Sequence, residues 1–283
     1  MQPFVVAGVD GSAESLAAAA WAAREAARRE LPLRLVHARD APGPRDGDLA
    51  AAAARQRAGG VLRRAEERVR AEGPGVRLLE EQTDGPAPAV LLARARDAEL
   101  LVLGSRGLSG FTGFLVGSVA LAVSARAERP VVLVRAGEDA ADERLPAEGG
   151  GPATDTGHRD VVLGLDPGRP RDEVTRFAFE AARLRRARLR AVHTRRVPGD
   201  VPERLDLLRS SLRLWREKYP GVETVETVVE DRPANVLVRA ATGAGLLVVG
   251  HRVPDHRRAA RLGAVPHAAI HHVGCPVAVV PYR

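Results

Sequence analysis

Two stretches of this chain echo one another at constant offsets, and that repetition limits the fold more than any other feature. The interval from Asp10 to His37 equals that from Asp166 to His193, an offset of 156 at both ends. The interval from Gly104 to Pro130 equals that from Gly250 to Pro276, an offset of 146. Val161–Leu165 with Asp166-Pro167-Gly168 answers Val5–Val9 with Asp10-Gly11-Ser12, and Asp84-Gly85-Pro86-Ala87 is matched by Asp231-Arg232-Pro233-Ala234. Matches held at constant spacing are the mark of tandem duplication. Two copies of one domain are therefore expected, over residues 1–137 and 159–283. Residues 138–158 between them are acidic, rich in Gly and Pro and without periodicity, the composition of a linker. The second copy is shorter mainly between His193 and Asp231.

Within the first copy, short apolar runs alternate with helical patterns. Strands are expected at Phe4–Val9, Leu33–Ala38, Val76–Glu80, Leu100–Leu103 and Val131–Val134. Helices are expected at Leu16–Glu30, at Leu49–Ala71 with charges at i, i+3 and i+4, from Gly85-Pro86 to Asp97, and at Val119–Glu128. Ser12 suits the N-cap of the first helix, with Ser15 a second candidate. Alternating strands and helices argue for a parallel sheet covered on both faces, and right-handed crossovers make a doubly wound topology economical. The expected class is α/β: two tandem Rossmann-like doubly wound domains, each a five-stranded parallel sheet with helices on both faces. Aromatic residues make up only 3% of the chain against 45% hydrophobic. A core built from Ala, Leu and Val suits such layers.

Charge and cysteine content narrow the class further. The net charge of +7 rests almost wholly on arginine, Lys218 being the only lysine. It divides as +3 over residues 1–137, −5 over 138–158 and +9 over 159–283. No RRM, zinc-finger or basic-zipper pattern accompanies the basic half, so its arginines, as in Arg183–Arg190, are taken as solvated helix faces, and no nucleic-acid partner is expected. With one cysteine, Cys275, no intrachain disulfide can form, and the expected location is cytoplasmic. The opening MQPFVVAGVDG lacks the basic n-region of a signal peptide, and no apolar run approaches the length that spans a bilayer. No membrane partner is expected.

Function concentrates in Gly104–Ser118, GSRGLSGFTGFLVGS, between an apolar strand and a helix. A glycine-rich loop in that setting can bring backbone N–H groups against a phosphate. Its spacing, Gly104-x2-Gly107-x9-Gly117-Ser118, is neither a Walker A loop nor a GxGxxG turn. In an open parallel sheet ligands bind beyond the strands' carboxyl ends, which here carry Gly8–Ser12, Ala38–Asp40 and Gly104–Ser118. Asp10 can accept hydrogen bonds from ribose hydroxyls or a base edge, while the loop holds phosphates.

Asp10 after an apolar strand, Val36-His37-Ala38, and the Gly104/Gly107/Gly117/Ser118 pattern resemble the universal stress protein family, and the resemblance covers both copies. It implies adenine-nucleotide binding, usually of ATP, with AMP or ADP as alternatives and Mg²⁺ as an optional companion. By resemblance, Gly8 and Asp10 flank ribose and base, and the Ala38 backbone meets the adenine. Gly104, Ser105, Arg106 and Gly107 line the phosphates, closed by Gly117, Ser118 and Val119. It also implies a pseudo-dimer of the two copies within the chain, with a homodimer of chains as a further expectation. In the second copy Gly250, Gly263 and Asp166 keep the pattern, but Val253 replaces the second glycine and Ala264 the serine. A β-branched residue resists positive φ and close phosphate approach. Arg257, Arg258 and Arg261 can compensate by charge or form a solvated face. The two sites are thus expected to be unequal.

The expected function is an ATP-binding regulatory protein of a stress response, acting by binding rather than turnover. The loop has no evident general base, catalytic lysine or Mg²⁺-binding carboxylate pair. The alternatives are a ligand-free dimeric interaction module and a slow ATP-hydrolysing or adenylyl enzyme using Arg106. Other candidates carry blander readings. His267 and His271 have the i, i+4 spacing of a two-ligand metal face but no third ligand, so a surface helix is expected. His37 and His193 are taken as structural or rim groups, and Cys275 as core packing. Phe111 and Phe114 are either a lid over the ligand or a packing surface.

Overall fold

Alanine makes the first helix short-sided enough to lie flat on a sheet. α1 (Ala13–Arg29) is buried from Ala17 to Ala26 around a fully enclosed Trp21. Ser12 caps it, its hydroxyl accepting the Ser15 N–H, and Glu30 ends it at φ 55 with Leu31 N–H donating to the Ala26 carbonyl at 2.9 Å. The computed structural model describes residues 3–39, 48–105, 116–147, 156–169, 171–195, 201–253 and 261–283, with 48–55, 57 and 195 described by their backbone alone. These form two units, Met1–Asp139 and Ala140–Arg283.

In the first unit β1 (Val5–Gly8), β2 (Leu33–Arg39), β3 (Leu78–Asp84), β4 (Leu100–Ser105) and β5 (Val131–Arg135) form a parallel sheet in the order β3-β2-β1-β4-β5. Val5–Gly8 pair with Leu33–Val36 on one side, and Val5–Ala7 with Leu100–Val102 on the other. α1 and α2 (Asp48–Glu72) pack together on one face; α3 (Ala87–Ala95) and α4 (Ser118–Ser124) cover the other. Strand order reverses between β1 and β4, so their C-terminal loops part there and leave a crevice.

The second unit repeats the plan. β6 (Val161–Gly164), β7 (Leu189–Arg195), β8 (Thr224–Glu230), β9 (Leu246–Arg252) and β10 (Val277–Tyr282) run parallel in the order β8-β7-β6-β9-β10. α5 (Asp172–Arg185) and α6 (Val201–Lys218) take one face, α7 (Pro233–Ala240) and α8 (Ala264–His272) the other. Arg186 ends α5 at φ 50, the position 156 beyond Glu30. The α/β class and doubly wound order anticipated from the repeats are those observed.

Three boundaries differ from expectation for physical reasons. The third strand was expected over Val76–Glu80 but runs Leu78–Asp84. Its polar half pairs fully along β2 at the sheet edge, where Arg34 and Arg94 meet Glu81, and Arg39 donates to Asp84 at 2.6 Å. α4 stops at Ser124 instead of Glu128, loosening into turns in which Ala125 and Ala127 N–H donate to Leu121 and Val123 carbonyls. The acidic segment also carries structure: Arg144 and His158 form an antiparallel bridge, and Leu145 N–H donates to the Gly157 carbonyl at 2.8 Å.

Candidate functional site

Beyond the C-terminal ends of β1 and β4 lies a cleft of about 470 Å³. Its floor depends on two glycines. A side chain on Gly8 would meet the Leu103 and Leu91 methyls at 2.6 and 2.9 Å. A Cβ on Gly104 would meet the backbone of Glu14 and Ser15 at 2.6–2.8 Å, so only glycine lets the first turn of α1 settle on β4. Val36, Ala38, Ala87 and Leu91 supply an apolar wall, while Asp10, Ser12, Glu14 and Ser15 supply the polar one. Gly117, Ser118 and Val119 close a further side, where Gly117 precedes α4 without a side-chain cap.

Asp10 is fixed before any ligand arrives. Its Oδ1 accepts the Ser12 N–H at 2.9 Å and the Ser12 hydroxyl at 2.5 Å, and its own N–H donates to Ser15 Oγ at 3.3 Å. Partial burial pushes the carboxyl up, but the hydrogen bonds from Ser12 and Ser15 outweigh it and hold the group below its ordinary value. The result is an ionised acceptor aimed into a half-apolar crevice. Such a crevice can hold a flat apolar ring against Leu91 and Val36 while the carboxylate takes hydroxyl protons.

The structure brings seven of the expected residues to one cleft: Gly8, Asp10, Ala38, Gly104, Gly117, Ser118 and Val119. Ser105 departs from expectation. It is buried, does not line the cleft, and donates its hydroxyl to the Val134 carbonyl at 3.2 Å, turned towards β5. Its hydroxyl is thus committed to the neighbouring strand. Arg106, Gly107, Phe111 and Phe114 lie outside the described residues. Sequence reasoning missed Glu14 as a second carboxylate and Leu91 as a wall; Leu91 was findable, since Leu237 stands 146 residues on and packs on Gly164 as Leu91 packs on Gly8.

The profile of the universal stress protein family matches residues 4–135 and 157–281. The chain belongs to the universal stress protein family. A universal stress protein of Mycobacterium tuberculosis is 33% identical over 298 residues, covering 98% of this chain and 97% of that one. One from Mycolicibacterium smegmatis is 31% identical over 302 residues, covering 99% and 97%. Among solved structures, a universal stress protein from Archaeoglobus fulgidus aligns over 98% of this chain and 97% of its own with a TM-score of 0.73 at 17% identity, a likeness of fold. A universal stress protein solved in complex with cAMP is 30% identical over 48% of this chain and 99% of that one, with a TM-score of 0.38; the ligand is a fact about that protein.

The histidines and the cysteine are not among the described lining residues of the first cleft. His37 Nδ1 lies 2.7 Å from the Val9 carbonyl and His193 Nδ1 3.1 Å from that of Leu165, each tying one strand end to the next. In a contact with a carbonyl the ring nitrogen is the donor. His267 and His271 are 4.4 Å apart between ring centres, and no group of three metal-ligating side chains occurs among the described residues. Cys275, expected in the core, is only half-buried. No described helix is long and apolar enough to cross a membrane.

Proposed function

We propose that the first unit binds an adenine nucleotide, ATP foremost, in the cleft between β1 and β4, and serves a stress response as a regulator that works by binding rather than turnover. The observation that carries this reading is the convergence of an anchored Asp10 carboxylate, an apolar slot and the Gly104 and Gly117 ends of the glycine loop in one cavity. At about 470 Å³ it falls within the ordinary range of small-molecule sites. Asp10 would accept from the ribose hydroxyls, Ala38 and Leu91 would flank the base, and the loop from Gly104 to Ser118 would carry the phosphates. A Mg²⁺ ion would be held through those phosphates, with Asp10 and Glu14 the carboxylates at hand among the described lining residues.

The test is nucleotide identification by mass spectrometry on the purified chain, followed by titration with ATP, ADP and AMP. Binding is expected, weakened about tenfold or more by Asp10→Ala, with slow release of γ-phosphate. No co-purifying nucleotide and no thermal shift with ATP would defeat the proposal and favour a ligand-free module.

A further inference from the structure

The second unit keeps the floor of the first cleft. Gly164 stands for Gly8, Asp166 for Asp10, Thr194 for Ala38 and Gly250 for Gly104, and Leu237 packs on Gly164 as Leu91 packs on Gly8. Yet the cavity over that floor measures about 170 Å³ against about 470 Å³ in the first unit. Two large side chains of its lining have small counterparts in the first unit. Position 171, which corresponds to Ser15 at the 156 offset, is arginine, and position 282, which corresponds to Ala136 at the 146 offset, is tyrosine.

Tyr282 is turned inward by the sheet itself. β10 continues through Tyr282, which pairs with Arg252 and accepts the Val253 N–H at 3.0 Å, whereas β5 ends at Arg135 and leaves Ala136 exposed. Side chains two apart share a face. Val280 lies opposite Gly250, so Tyr282 reaches back over that glycine, with ring carbons 3.0 and 3.2 Å from where its Cβ would be. The ring thus lies over Gly250, where the glycine loop begins. Arg171 completes the closure. α5 starts at Asp172, three residues later in the repeat frame than α1, which leaves Arg171 in extended backbone at φ −125. From there its guanidinium carbon sits 4.6 Å from the Tyr282 ring centre, a cation–π contact.

We infer that the Arg171–Tyr282 pair shuts the second unit's cleft to nucleotide, with Tyr282 the residue that decides which unit accepts it, so that the chain offers one nucleotide site. The inference rests on the first cleft being the adenine-nucleotide site. It does not rest on the degenerate glycine loop: an open loop would still be blocked by the ring.

Equilibrium dialysis of the full chain against AMP tests it, because a monophosphate demands least of the loop. Arg171→Ser combined with Tyr282→Ala is expected to raise bound AMP at saturation by one equivalent over the wild-type chain, while Tyr282→Phe, which keeps the ring, leaves it unchanged. No rise in a double variant that retains its circular dichroism overturns the inference, as do two equivalents bound by the wild type. A wild type that binds none defeats the reading of the first cleft instead, and the gain on opening still decides this one. Should the double variant not fold, Tyr282→Ala alone decides: a gain in bound AMP is expected, and no gain in a folded chain overturns the inference.

Discussion

Replacing Gly104 by alanine separates two kinds of close contact that the duplicated chain places at equivalent positions. In the first unit a Cβ at 104 would lie 2.6 Å from the Glu14 carbonyl carbon, 2.7 Å from the Ser15 nitrogen and 2.8 Å from the Glu14 oxygen. All three are backbone atoms, and carbon pairs favour separations of about 3.5–4.0 Å. Relief therefore requires α1 to lift off β4 by most of an ångström, loosening the fully buried Ala18–Ala20 and Trp21 packing. In the second unit a Cβ at 250 would meet the Tyr282 ring at 3.0 Å and a Val174 methyl at 3.1 Å, side-chain atoms able to yield a few tenths of an ångström. Overpacking costs roughly 1–3 kcal/mol, so Gly104→Ala belongs near the upper end, about 2–3 kcal/mol, and Gly250→Ala at about 1 kcal/mol or below. Urea denaturation followed by circular dichroism reads the difference, with a calorimetric scan as the second measure. At roughly 2–4 °C per kcal/mol for a chain of this size class, Gly104→Ala is expected to melt roughly 5–10 °C low. Because Glu14 and Ser15 also line the cleft, its nucleotide affinity should fall as well. If Gly104→Ala proves no less stable than Gly250→Ala, the approach of α1 to β4 is not what demands glycine, and the packing account of the cleft floor fails.

Two further outcomes follow from the same site. Gly107→Val, which copies the valine at position 253 of the second unit, should weaken ATP binding by about tenfold or more while leaving the melting temperature unchanged; unaltered affinity in a titration would show that the loop does not approach the phosphates. Asp10 should make stability pH-dependent in a defined direction. Its folded value lies below the ordinary 3.8, so its contribution is present above 3.8 and disappears as pH falls through the lower folded value. The stability gap between wild type and Asp10→Ala, about 1 kcal/mol for hydrogen bonds at a largely exposed group, should thus persist from neutral pH to about pH 4 and close below it. A gap that already closes between pH 6 and pH 5 would mean that the Ser12 bonds do not hold the carboxylate.

How far the chain's chemistry could be seen in its sequence depended on how local the cause was. The apolar runs at Val5–Gly8 and Leu100–Leu103 and the alanine face of α1 declare themselves, because burial on both sides demands them. β3 did not: Glu80–Asp84 is a strand only because β2 and the arginines at 34, 39 and 94 lie alongside. Ser105 shows the same limit at the site. Its place in the motif suggested a phosphate contact, whereas strand alternation turns its hydroxyl to Val134. The difference between the two clefts is the plainest case. Comparing loops by residue type makes Val253 and Ala264 the obvious departures, and both are visible by eye. Ser15 against Arg171 is equally visible once the 156 offset is known, but nothing in the string says that position 171 leaves the helix. Nor does it say that β10 carries one more paired residue than β5, which decides whether a terminal tyrosine faces Gly250 or solvent. Gly8, Gly104 and Gly164 let leucines and a helix pack close against the strands, and Gly250 makes room for Tyr282 and Val174. A retained glycine frame is therefore evidence of a retained fold. Whether the frame also encloses a usable site turns on what the neighbouring strand end and helix start project into it, here a serine alone in one unit and arginine with tyrosine in the other.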